Sequence, residues 1–155
     1  MNGEKKKIVH NFLLKKKINQ IEHREWFKKK LSSKKYSAWT IRYYDKKIGL
    51  TQIDMTKYKN VCNAGFYTIS KDYAFLSFEI MNLFHRLIFT KLKFNKIFSY
   101  IAKKNINFRK LNKLNGYREL REFELNNEFI YTSLKKKDWL NSKGFIYFRR
   151  KYAKL

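Results

Sequence analysis

Residues 105–117, NINFRKLNKLNGY, constrain the fold more than any other part of this chain. Asn105 can start a helix, because its side-chain oxygen can accept from a backbone N–H of the first turn. The segment after it is amphipathic at helical spacing. Gly116 stands where a helix end wants a left-handed residue, and Tyr117 returns the chain to an extended run. The preceding KIFSYIAK reads as a buried strand. A short helix held between two strands demands a sheet for those strands to join, so the chain must be more than a helical bundle.

The other elements follow from periodicity. Ile18–Leu31 carries Ile18, Ile21, Trp26, Phe27 and Leu31 at helical spacing, with Asn19 and Glu22 as a capping box. From Tyr36 to Tyr44 the residues alternate. Trp39, Ile41 and Tyr43 share one face, and Thr40, Arg42 and Tyr44 the other. A turn at Asp45–Lys47 leads to IGLTQIDM, and the polar TKYKN leads to VCNAGFYTI, which completes an antiparallel meander. A long helix is expected over Tyr73–Thr90, with Leu76, Ile80, Leu83, Phe84, Leu87 and Ile88 as its apolar stripe and Ser70 or Asp72 as its cap. Strands Lys96–Ala102, Arg118–Leu125 and Glu128–Leu134 follow, the last two joined by a hairpin at Asn126 and Asn127. A basic tail with Trp139 and Tyr147 ends in a short helix. Neither a repeat nor a linker interrupts the chain, so residues 1–155 read as one α+β domain.

Charge points in a different direction. A net charge of +25 suggests nucleic acid. Lys, Asn, Ile, Phe and Tyr are all abundant while Pro, Gly and Ala are scarce, which is the pattern AT-rich codons produce. The clusters Lys5–Lys7, Lys15–Lys17, Lys28–Lys30, Lys135–Lys137 and Arg149–Lys151 are also dispersed rather than gathered. Nucleic-acid binding is therefore the second reading. An apolar content of 44% excludes a disordered basic tail. The absence of an apolar run of about 18 residues argues against a membrane span, and the N-terminus lacks a secretory pattern, so a cytoplasmic location is expected. Cys62 is the single cysteine and reads as a small buried strand residue. His10 and His85 are isolated and lack metal-ligand spacing, so no metal is expected.

The order of elements over about residues 8–145 is similar to that of the GNAT N-acetyltransferases. Within them the chain most resembles the type that acetylates nucleotide-linked 4-amino sugars in pseudaminic acid synthesis. The matching words are IEHREWF, NAGFYTI, NINFRKLNKLNGYRE and EFIYTSLKKKDW. The resemblance implies an α+β fold with a mixed, mostly antiparallel sheet and helices on both faces. By the same resemblance the first strand of that fold is expected to be missing, which would leave an exposed sheet edge open to a homodimer partner.

The resemblance also implies acetyl-CoA as co-substrate, held where the central strand splays from the strand after the long helix. Its pantetheine arm would run along Gly65–Ile69, beside Phe66, Tyr67 and Ile69. Its pyrophosphate would sit at the start of the long helix, at Lys71, Ala74, Phe75 and Ser77. Asn105 completes the implied cofactor set. Where such proteins carry glycines, Ala74 and Leu76 or Ser77 stand here, so KDYAFLS reads equally as a capped helix start. His23 and Asn63 are implied on the acceptor side, though His23 alternatively reads as a half-buried helix residue. The usual tyrosine acid maps to Asn112 and the usual carboxylate to Asn63. Tyr117 and Tyr67 are the nearest phenols, with a plain core role as their other reading. Asn112 and Tyr117 are the catalytic candidates. A catalytically weak relative of these enzymes is a further alternative.

Overall fold

A computed structural model describes residues 20–120 and 128–153. The asparagines of the expected hairpin, Asn19, and the stretch in which a first strand would fall lie outside those residues. The chain divides into two compact units, one ending at Lys34 and one beginning at Lys35.

In the first unit, Gln20–Leu31 forms α1. Its last turn carries Lys28, Lys29 and Lys30, favourable at a helix C-terminus. Lys28 donates to Glu25 at 3.1 Å, and the His23 ring lies tilted against Trp26. Ile21 and Leu31 are exposed, so the apolar stripe read from the sequence is not a buried face.

The second unit is built on a sheet of six described strands in the order β1-β2-β3-β4-β6-β5. These are β1 (Tyr36–Tyr43), β2 (Lys46–Met55), β3 (Val61–Thr68), β4 (Lys96–Ala102), β5 (Arg118–Leu120) and β6 (Phe129–Lys135). All pairings are antiparallel except β3 with β4. The chain turns between β1 and β2 through Tyr44, whose φ is 50°, and Asp45. The turn is thus shorter than the expected Asp45–Lys47, and Lys46 and Lys47 join the ladder.

Alternation sorts the side chains. Cys62 pairs with Ile97 and Ile97 with Leu134, so these three lie on one face, together with Ile53. They join Phe84, Ile88, Phe89 and Trp139 in the core. Each large apolar side chain so buried contributes about 1.5–3 kcal/mol. Cys62 is fully buried, and burial pushes its thiol up to about 12, an inert core residue as its sequence setting implied.

The segment expected as one helix over Tyr73–Thr90 is three pieces. Lys71–Leu76 is a 3-10 helix, Ser77–Arg86 is α2, and Leu87–Lys91 is a π-helical turn. Ser70 caps the first piece by accepting from the Asp72 N–H at 3.1 Å. The wider π turn brings both Ile88 and Phe89 into the core. Met81 and His85 are buried beside Phe84, whereas Leu83 is half exposed, so the true buried face is rotated from the expected stripe. The reason is that α2 packs against a sheet, and the sheet's position selects which flank of a wide apolar surface is covered.

Ile106–Leu114 forms α3. Asn105 accepts from the Phe108 N–H at 3.2 Å, and Gly116 has φ +90°. Cap and stop both stand where the sequence placed them. Lys136–Leu140 (α4) and Lys143–Lys151 (α5) follow β6, two helices where the sequence suggested one. Ser142 separates them and caps α5 through the Phe145 N–H. Trp139 on α4 donates its indole N–H to Asn82 Oδ1 at 3.2 Å, which ties α4 to α2.

Candidate active site

β3 and β4 are partners only from Val61–Lys96 to Asn63–Phe98. Beyond Asn63, β3 stays with β2 as far as Thr68, and β4 stays with β6 as far as Ala102. The two neighbours therefore diverge, and the sheet opens as a wedge. At its apex lies a cavity of about 80 Å³, well above the ~10–15 Å³ that one water requires. Ala64, Gly65 and Phe66 line one wall and Ser99 and Tyr100 the other. Met81, Phe84 and His85 of α2, Phe108 and Asn112 of α3, and Tyr117 complete it. A Cβ added at Gly65 would meet nothing within 4 Å, so the backbone there borders open space.

The polar groups at the apex have distinct states. The Tyr117 hydroxyl lies 2.9 Å from His85 Nε2. Burial raises the Tyr117 pKa, so the phenol keeps its proton. Burial lowers the His85 pKa to about 3, so the imidazole is neutral. His85 Nδ1 is buried and has no hydrogen-bond partner among the described residues. Asn112 is 5% exposed, and no described residue hydrogen-bonds its side chain, so its amide is available to a ligand. The helix carrying it is held by Arg109, whose Nε and second terminal nitrogen donate to Glu119 at 2.8 and 3.0 Å. The remaining Arg109 nitrogen donates to the Lys103 carbonyl at 3.1 Å.

Of the residues singled out in the sequence, Phe66, Asn112 and Tyr117 meet at this cavity. The Phe66 and Phe108 rings touch across it, 5.5 Å apart. Tyr67 and Ile69 are exposed at and just past the end of β3. Asn63 is at the apex of the wedge but alternates to the face opposite Cys62. Lys71, Ala74 and Phe75 lie on the 3-10 helix, and Ser77 begins α2. Asn105 is spent on its capping bond and is exposed. His23 belongs to the other unit. Sequence reasoning missed His85, Ser99, Tyr100 and Phe108. His85 did carry one signal: it sits among apolar residues of a long helix, where an unpaired imidazole is costly.

The two ends of the wedge fit acetyl-CoA differently. The apex offers an open strand edge, an amide and a phenol, which suits a thioester. At the other end, Ser70 accepts from one early N–H and the Tyr73 N–H reaches back to the Ser70 carbonyl. Phosphate recognition there would fall more to the Lys71 charge than to an open glycine loop.

This wedge-opened sheet, with a helix starting beside it, is the GNAT fold. No protein-family profile matches the chain, and no curated protein matches it. Among solved structures, the N-acetyltransferase PseH of Campylobacter jejuni is similar with a TM-score of 0.61 at 21% identity, over 88% of this chain and 92% of that one. Its complex with acetyl coenzyme A gives 0.60 at 20% identity, over 88% and 93%. The spermidine N-acetyltransferase of Vibrio cholerae, in complex with CoA and spermine, gives 0.64 at 16% identity, over 91% and 95%. At such identities the likeness establishes the fold.

Proposed function

We propose that this chain transfers an acetyl group from acetyl-CoA to the amino group of a nucleotide-linked amino sugar. The observation that carries the reading is the divergence of β3 from β4 past Asn63 and Phe98, with polar groups at its apex. An extended arm bearing amides can pair with the β3 edge from Ala64 to Thr68 as an added strand. Phe66, Tyr67 and Ile69 would flank it. Lys71, Ala74, Phe75 and Ser77 would face the phosphates, and Asn105 would hold the head of α3 beside them. The net charge of +25 gives a field that attracts both phosphorylated substrates.

Holding amine and thioester together supplies much of the acceleration, because the reaction becomes effectively unimolecular. β3 N–H groups past Asn63, which no described strand pairs on the β4 side, would meet the carbonyl oxygen as charge develops on it. Asn112 and Tyr117 are hydrogen-bond donors at the apex, where the leaving sulfur would gather charge. Asn63 would face the acceptor. The sequence words shared with the pseudaminic acid type support an amino sugar as acceptor, and the similarity to the N-acetyltransferase PseH, seen in complex with acetyl coenzyme A, supports the acetyl transfer.

Calorimetric titration with acetyl-CoA tests the first half. Release of CoA thiol in the presence of nucleotide-linked amino sugars, with polyamines alongside, tests the second. Micromolar binding and amine-dependent thiol release are expected. No binding, together with salt-sensitive retention of RNA, would overturn the reading in favour of a basic nucleic-acid-binding module.

A further inference from the structure

We infer that His85 is a positioning residue for Tyr117: its Nε2–H donates to the phenolic oxygen and leaves the phenolic hydrogen free to point into the cavity. The inference rests on the acetyl-transfer reading for its catalytic consequence, but not for its geometry.

His85 has one bond and one bare nitrogen. Nε2 is 2.9 Å from the Tyr117 oxygen, and Nδ1 is buried without a partner among the described residues. Two neutral tautomers satisfy the bond. With hydrogen on Nδ1, a buried N–H has no acceptor and Tyr117 spends its own hydrogen on Nε2. With hydrogen on Nε2, the Nδ1 lone pair is left bare and the phenolic hydrogen turns to the cavity that Tyr117 lines, which has room for a water to accept it. Buried N–H groups without acceptors are the rarer defect in folded proteins, so the second tautomer is favoured. The surroundings agree. The imidazole is ringed by Phe89, Tyr117 and Trp139, with centroids 6.1, 5.4 and 6.2 Å away. Burial holds it neutral, so Nε2 is its single donor.

The consequence is a phenol already supported on one side and donating on the other. In the transfer step the acceptor nitrogen's lone pair forms the C–N bond to the thioester carbon. The C–S bond then breaks, with its electron pair left on sulfur. Tyr117 gives its proton to that sulfur, and its oxygen takes the proton shed by the new ammonium, so the phenol is regenerated. The imidazole N–H stabilises the charge that passes across the oxygen. This support matters because burial makes a free phenolate costly here.

Long-range nitrogen–proton NMR of the intact, 15N-labelled protein reads the tautomer directly. The signals of the three histidines are separated by comparison with a Tyr117→Phe variant, in which the His85 Nε2 resonance moves. Hydrogen on Nε2 and a bare Nδ1 are expected, and hydrogen on Nδ1 overturns the proposal. Kinetics supply the second arm. His85→Phe should lower kcat on the order of 10²-fold, with KM for acetyl-CoA unchanged. His85→Gln, which keeps an amide donor, should recover most of the loss. Equal losses in both variants, or none in His85→Phe, overturn the positioning role. Wild-type protein that binds no acetyl-CoA sinks the transfer reading, and with it the catalytic use of the pair. Wild-type turnover with hydrogen on Nδ1 sinks the positioning alone.

Discussion

The bond between Trp139 and Asn82 should be the most revealing single contact to remove. Trp139 is 1% exposed and Asn82 is fully buried. The asparagine oxygen accepts the indole N–H at 3.2 Å, and its amide donates to the Phe78 carbonyl at 3.0 Å. Asn82→Leu keeps the volume but orphans the indole donor. A buried donor left without an acceptor costs about 1–3 kcal/mol. The added apolar atoms return part of this, at roughly 0.8 kcal/mol per buried CH₂. A net loss of about 1.5 kcal/mol is expected. Unfolding entropy of about 2.1 cal/mol/K per residue over 155 residues gives roughly 0.33 kcal/mol/K, hence a Tm drop of about 5 °C. Scanning calorimetry of Asn82→Leu, Trp139→Phe and the double variant measures it. The double variant should lose less than the sum, because removing both partners leaves no orphan. Additive losses, or a Tm for Asn82→Leu within about 1 °C of wild type, would refute the hydrogen-bond argument and leave packing as the sole tie between α4 and α2.

Three further outcomes are expected. Gly65→Leu should abolish acetyl-CoA binding with little change in Tm, since a Cβ there meets nothing within 4 Å and the side chain would occupy the wedge; retained affinity by calorimetry would move the cofactor elsewhere. Gly116→Ala should destabilise by about 1–3 kcal/mol, from its φ of +90° and a Cβ 2.7 Å from the Asp138 carbonyl oxygen, and a denaturant midpoint like wild type's would contradict it. His85, at about 3 folded against about 6.5 unfolded, contributes stability that is full above about pH 6.5 and is lost as pH falls toward about 3. Melting scans across that window should therefore fall more steeply for wild type than for His85→Gln, and parallel curves would refute it.

Local features of this chain are legible in its residues alone. Alternation marks the strands because a pleated chain turns every second residue to the core. Asn105, Ser70 and Gly116 mark helix ends because capping bonds and a positive φ are settled within a few residues. The element order and the α+β class follow from those signals. What the sequence could not reveal lies in contacts between distant residues. His85 meets Tyr117 across 32 positions and Trp139 meets Asn82 across 57. The exposure of Leu83 and the burial of His85 depend on where the sheet lies under α2. The wedge, which the sequence implied only through its family resemblance, is a missing set of hydrogen bonds between β3 and β4. Partner choice along a strand edge is decided by which neighbours the whole sheet brings within reach, and no local pattern encodes it.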